Sequence, residues 1–294
     1  MISMETTELL RKVRKIEIKS RGLSQQIFSG QYHSAFKGKG MAFSEVREYQ
    51  FGDDIRSIDW NVTARFNHPY VKVFEEEREL TVMLLIDLSR SNDFGTRAQM
   101  KRGLLTEISA VLAFSAIQNN DKVGVIFFTD RVEKFIPPKK GQTHILRIIR
   151  ELLTFRPEGA ATRLSQPLVF LVNALRKRCT AFLISDFVDE GFGDSLRIAA
   201  RKHDLVGIRI SDPREGELPA AGLLRVRDQE TGEEAYMDTA SAEVRSTYKY
   251  RWKMFEKKIQ DLFRKNGVDL AEIQTGEDYI KPLLKLFRKR ESRR

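Results

Sequence analysis

The run Leu-Thr-Val-Met-Leu-Leu-Ile at residues 80–86 does not alternate polar with apolar side chains, so as a strand it must be covered on both faces. A sheet with helices on either side offers that cover, and the chain downstream keeps the required rhythm. A helix over 97–118 is predicted by the stripe Leu104, Leu105, Ile108, Val111, Leu112 and Ser115. A strand over 122–128 follows, then an antiparallel edge over 132–136 that Pro137-Pro138 should end. Helices near 144–153 and 164–176, a strand over 180–184, a helix around 195–200 and a strand over 205–210 continue the alternation. The pattern predicts an α/β fold built on a doubly wound, mainly parallel sheet.

Two regions depart from this rhythm. Residues 223–227 and 234–237 flank a turn containing Gly232, which predicts a hairpin insertion near 222–238. A long helix then carries Val244, Tyr248, Trp252, Phe255, Ile259 and Leu262 on one face, Asn266-Gly267 stops it, and a last strand over 268–273 precedes a helix marked by Ile280, Leu283, Leu284 and Phe287. At the other end, Leu9, Leu10, Val13 and Ile16 recur at helical spacing among basic residues. Beyond a glycine-rich basic stretch at 29–40, which lacks the spacing of a phosphate loop, residues 41–49 and 70–74 read as strands around an aspartate-rich turn. The organisation expected is an N-terminal amphipathic helix and small β-containing lobe over 1–78, then an α/β domain over 79–294.

Composition narrows the function classes. Lys and Arg number 51 against 41 Asp and Glu, a net charge of +10 that permits an acidic partner without demanding one. Cys179 is alone, so neither an internal disulfide nor a cysteine-based metal cluster can form. The N-terminus lacks a secretory pattern and no apolar run approaches the roughly 20 residues of a bilayer span, so a cytoplasmic protein is expected. His33, His68, His144 and His203 share no zinc-ligand spacing. The basic end 288–294 could touch nucleic acid or anionic lipid, but no nucleic-acid-binding module accompanies it and a basic end is more often a solvated tail, so neither specific nucleic-acid binding nor peripheral membrane contact is expected.

Chemistry concentrates immediately after the first buried strand, in Asp87-Leu88-Ser89-Arg90-Ser91. One carboxylate and two hydroxyls at alternate positions, at the carboxyl end of a parallel strand, suit a hard cation such as Mg2+, with Mn2+ as the other fit. Thr162 in a later loop and Asp186 after the strand 180–184 fall where other carboxyl-end loops converge. The same small polar residues can equally cap a helix or satisfy loop amides.

This Asp-x-Ser-x-Ser pattern, with Thr162 and Asp186, resembles the metal-ion-dependent adhesion site of von Willebrand A domains. Tyr49-Gln50-Phe51-Gly52-Asp53-Asp54-Ile55-Arg56-Ser57-Ile58-Asp59-Trp60, within a longer signature from Phe43 that continues through Thr63-Ala64-Arg65 and Tyr70-Val71-Lys72, resembles the bacterial family called domain of unknown function 58. That resemblance implies a von Willebrand A-like, Rossmann-type three-layer domain with metal ligands at Asp87, Ser89, Ser91, Thr162 and Asp186. It also implies a protein-binding adaptor role beside a MoxR-type AAA+ ATPase or its client. Arg47, Tyr49, Gly52, Asp53, Asp54, Arg56, Asp59, Trp60 and Arg65 form its N-terminal signature. The aspartates and arginines there are expected to pair internally, and Trp60 to sit in a core. Two departures from the von Willebrand A pattern stand out: Ala161 precedes Thr162 where glycine is frequent, with Arg163 adding a cation near the site, and Asn92 follows the second serine.

Two rival functions share these residues. Asp87 could hold magnesium for phosphoryl transfer or attack phosphorus, although no general acid accompanies it and no catalytic residue is assigned. A scaffold with an empty metal site is the other.

Overall fold

The computed structural model describes residues 6–23, 42–75, 80–93, 100–227 and 232–292. The stretch 29–40, the turn 228–231 and residues 97–99 of the expected helix lie outside that set. Helix α1 (Thr6–Leu23) comes first. A small lobe follows, made of β1 (Ala42–Glu48), α2 (Trp60–Phe66) and β2 (Tyr70–Glu75). Then come β3 (Thr81–Asp87), α3 (Lys101–Gln118), β4 (Lys122–Phe128), β5 (Val132–Lys139), α4 (Gln142–Thr154) and α5 (Ser165–Ala174). The alternation continues with β6 (Thr180–Ser185), α6 (Gly193–Lys202) and β7 (Asp204–Ser211). The chain ends in the hairpin β8 (Leu223–Arg227) and β9 (Glu234–Asp238), then α7 (Ala242–Lys265), β10 (Asp269–Gln274) and α8 (Ile280–Glu291).

Six strands form one sheet in the order β10-β7-β6-β3-β4-β5, parallel throughout except for β5, which runs antiparallel to β4. This is the doubly wound, mainly parallel sheet that the alternation predicts, with helices on both faces. Residues 82–87 of β3 are all buried, as two-sided cover requires. On one face, Met83 and Leu85 pack with Leu168 and Leu171 of α5, Leu196 of α6, and Ile259 and Phe263 of α7. The opposite face carries α3, which is itself overlaid by α1 and flanked by α4, so 13 of its residues are buried and its apolar surface runs all the way round. Sheet and helices meet closely enough that a Cβ on Gly207 of β7 would stand 2.3 Å from the Phe263 ring.

Four sequence expectations change here. Helix α1 belongs with the α/β unit and not with the lobe, because Val13 and Ser20 are buried on a surface that packs against α3 and α4, with Lys19 paired to Glu107 at 2.5 Å. The lobe is a separate compact unit over 37–80. Strand β5 runs through Pro137 and Pro138 to Lys139, since an edge strand needs no donor on its open side. Trp60 is 67% exposed instead of core: it opens the seven-residue helix α2, none of whose residues is buried.

Within the lobe, β1 and β2 pair antiparallel. Gly52 takes φ 108° in the connecting turn, a conformation glycine adopts without steric cost. Arg47 donates to both oxygens of Asp53 at 2.7 and 2.8 Å, Asp54 caps the 3-10 turn Ile55–Ser57, and Asp59 caps α2 through the amides of Asn61 and Val62. The Arg47 guanidinium holds the Asp53 carboxyl below its usual range. Asp59 also lies 3.5 Å from the Lys72 ammonium. Arg56 and Arg65 are exposed, and Tyr49 donates its amide to Pro69.

Candidate functional site

Counted along the chain, the six strands lie in the order 3-2-1-4-5-6, which reverses between β3 and β6. Ligands of doubly wound sheets bind at that reversal, outside the carboxyl ends of the strands. The register pairs Ile86 with Ile184, so Asp87 and Ser185 end neighbouring strands side by side. Asp186 follows directly.

Asp87 is fully buried. Its Oδ1 accepts the Ser89 amide at 2.9 Å and its Oδ2 accepts the Ser185 hydroxyl at 2.6 Å, which folds the loop after β3 back over the strand end. That loop brings Ser89 Oγ and Ser91 Oγ within 3.0 Å of each other. Asn92 supports it from below, its Nδ2 donating to the Asp87 carbonyl at 3.2 Å and to Ser89 Oγ at 3.4 Å, while its buried Oδ1 has no partner.

Asp186 is held by a different set. Its Oδ2 accepts from Lys101 Nζ at 2.9 Å, its Oδ1 accepts the Val188 amide at 3.2 Å, and the Ser91 hydroxyl bonds to it as well. Phe187, the next residue, adopts φ 61°, a strained conformation for an aromatic side chain, and its buried ring is locked against Phe192 and Phe263. Lys101 has no exposed surface and bridges Asp186 to Glu215 Oε1 at 2.6 Å.

Electrostatics follow from this burial. Desolvation first, and then the charge of Asp186, push the Asp87 carboxyl up to about 7. Burial would raise Asp186 too, but the Lys101 ammonium outweighs it and holds that carboxyl below its usual value. Burial opposes the charge on Lys101, and its two carboxylates more than compensate, so the ammonium is retained. Two carboxylates, of Asp186 and Glu215, thus meet one ammonium, and Asp87 lies on the far side of Asp186 without a cation of its own among its hydrogen-bond partners.

Thr162 is buried in the loop between α4 and α5. That loop reaches the serine loop through the Arg90 amide and the Ala160 carbonyl at 3.1 Å, and reaches β4 through the Arg163 amide and the Thr129 carbonyl at 3.0 Å. The loop packs tightly at Gly159: an added Cβ would lie 2.2 Å from Thr129 Oγ1 and Asp130 Oδ1, so glycine is required there for close approach rather than before Thr162. Arg163 is exposed. Asp87, Ser89, Ser91 and Asp186 are therefore joined by direct hydrogen bonds or through Ser185, and Thr162 by its backbone neighbours.

The donor set suits a hard divalent ion: two hydroxyls and two carboxylates, an orphaned amide oxygen on Asn92, and an uncompensated negative balance. No group of three or more His, Cys, Asp or Glu residues placed to hold a metal occurs among the described residues, so any such ion would depend on the hydroxyls. Sequence reasoning missed Lys101, Ser185, Asn92 and Glu215. Ser185 was detectable as a polar residue closing a buried strand; Lys101 was not, because a lysine in the first turn of a helix reads as solvated.

Comparisons with known proteins agree with this architecture. A family model described as "Protein of unknown function DUF58" matches residues 45–257. An uncharacterised protein of Mycobacterium tuberculosis is 28% identical over 292 residues, covering 98% of this chain and 91% of its own length. Among solved structures, BatB from Bacteroides thetaiotaomicron covers 72% of this chain and 99% of its own at a TM-score of 0.50 and 14% identity. An aerotolerance-related membrane protein from Bacteroides fragilis covers 73% and 100%, with the same TM-score and identity. These structures support the fold.

Proposed function

Since the chain belongs to the DUF58 family, whose description assigns no activity, we propose from the β3–β6 cleft that it is a protein-binding adaptor whose partner docks on a cation-dependent face. The observation that carries this reading is the pair of serine hydroxyls 3.0 Å apart above two buried carboxylates at the sheet's switch point. Ser89, Ser91, Asp87 and Asp186, with Thr162 beside them, would hold Mg2+ or Mn2+, and the ion would supply an open coordination position for a partner's carboxylate.

The chain's own residues prepare that face. Asp87 fixes the serine loop through the Ser89 amide, Ser185 fixes the other oxygen of Asp87, and Lys101 neutralises Asp186 from beneath. The exposed Arg163 adds attraction for an acidic partner group. Phosphoryl transfer is a poorer fit, because Asp87 is fully buried and so not open to in-line attack on a phosphorus centre, a demand that holding a small ion together with the serine hydroxyls does not make. A MoxR-type AAA+ ATPase is the partner that the family resemblance suggests.

The test is calorimetric titration of such an ATPase into the full chain with magnesium, with chelator, and with Asp87→Ala and Ser91→Ala. Binding should weaken at least tenfold on chelation and in Asp87→Ala, and less in Ser91→Ala, since water can replace one hydroxyl. Manganese binding followed directly by electron paramagnetic resonance checks the ion without the partner. Unchanged partner affinity with chelator and in a folded Asp87→Ala would sink the bridging reading. A scaffold would then remain, with Lys101 as the site's resident cation.

A further inference from the structure

The chain's positive charge is not spread evenly. Helix α1 holds six Lys or Arg against two Glu and α8 holds five against one, so these two helices account for eight of the ten excess charges. Both lie in the same unit, and the end of α1 approaches the start of α8. Lys19, near the end of α1, pairs with Glu107 of α3 and lies 5.6 Å from the ring of Tyr279, the residue that opens α8.

Much of this charge is unspent. Lys281, Lys285 and Arg288 recur at helical spacing along α8, exposed and without a carboxylate partner among the described residues, and Arg11, Arg14 and Lys15 are likewise exposed on α1. Beside α8 is an open recess of about 500 Å³ lined by Lys281, Leu284, Lys285, Arg288, Lys289 and Ser292. On α1, Ile18 stands 65% exposed among the cations. Stability of the fold does not account for this, because like charges concentrated along one helix repel.

From this we infer that the α1–α8 surface docks on an anionic lipid bilayer. Two features select a bilayer over a nucleic acid. The apolar side chains set among the cations, Ile18 and Leu284, are what an interface between headgroups and acyl chains accepts. Among the described residues, α1 and α8 offer no exposed aromatic ring on which a base could stack. No helix among the described residues is long and apolar enough to cross a membrane, so the contact is peripheral, held by phosphate headgroups in the basic recess and by shallow apolar contact at Ile18. The expectation from sequence was different, because the basic C-terminal segment reads there as a solvated tail.

The experiment is co-sedimentation of the full chain with vesicles of phosphatidylcholine alone and with about one-third phosphatidylglycerol, across a salt series. Binding should appear on the anionic vesicles and fall as salt rises. It should drop at least tenfold in Lys281→Glu/Lys285→Glu/Arg288→Glu, and several-fold in Ile18→Ser. It should be retained in Arg251→Glu/Lys253→Glu/Lys257→Glu, which makes the same charge change on exposed positions of α7, across the sheet. Equal loss in both triple variants would reduce the effect to net charge and overturn the proposal. Equal binding to phosphatidylcholine would overturn it as well. So would full displacement by duplex DNA together with insensitivity to Ile18→Ser, which would assign the surface to nucleic acid.

Discussion

Lys101 is the residue on which the cleft's electrostatics turn. A fully buried ammonium is tolerable only because two carboxylates meet it, and removing it would leave Asp186 buried beside Asp87 with nothing to balance either. Lys101→Met, close in shape, should cost about 3–5 kcal/mol in urea denaturation, the range for breaking a buried pair by removing one partner. If the cleft takes a divalent ion, magnesium should restore more stability to this variant than to the wild type. A loss below about 1 kcal/mol would place the Lys101 charge in solvent contact.

At the level of elements, the site is made by loops whose shapes are set some way from the hydroxyls they carry. The loop between α4 and α5 is anchored by Glu133 Oε1, which accepts the Gly159 amide and the Thr129 hydroxyl, each at 2.8 Å. A methyl group on Gly159 would collide with Thr129 and Asp130, and Thr129 is fully buried and has no room to yield. Gly159→Ala should therefore cost about 1–3 kcal/mol and shift the loop that bears Thr162. Manganese affinity measured by paramagnetic resonance should fall in this variant while the circular dichroism spectrum stays native. Unchanged affinity would show that Thr162 plays no part in the site. The sheet around this loop was largely legible from hydrophobic pattern, and β5 overran its expected end only because an edge strand tolerates prolines.

For the molecule as a whole, pH dependence of folding offers a check on the core. His203 has no exposed surface, and its Nδ1 lies 3.3 Å from both the amide and the thiol of Cys179. Burial, with Lys202 and Arg178 nearby, lowers the imidazole to about 4. The unfolded chain binds a proton near pH 6.5, so the contribution of His203 to stability is complete above that value and is lost as pH falls toward about 4. The linkage amounts to roughly 3 kcal/mol. Because the raised Asp87 carboxyl gains stability over the same range, the check is a difference: between pH 7 and 4 the urea midpoint of the wild type should fall relative to that of His203→Gln. An unchanged slope in that variant would place the responsible proton elsewhere.

What the sequence determined by itself was periodicity. A buried strand, its alternating neighbours and a polar cluster at the strand's carboxyl end follow from local order along the chain, and they marked out the mainly parallel sheet and Asp87, Ser89, Ser91 and Asp186 as neighbours to be, whereas the strand order and its switch point came from the tertiary structure. Tertiary structure decided which charges would be buried, because burial depends on what packs over a residue and not on what precedes it. Lys101 reads as a solvated lysine yet lies under Asp186. Arg290 reads as one basic residue in a tail, yet donates to Asp204 at 2.5 and 2.6 Å and to Asp269 at 3.0 Å, tying α8 to the first residues of β7 and β10. Trp60 reads as core and stands exposed, since a seven-residue helix in a lobe with little interior has no second layer to cover it.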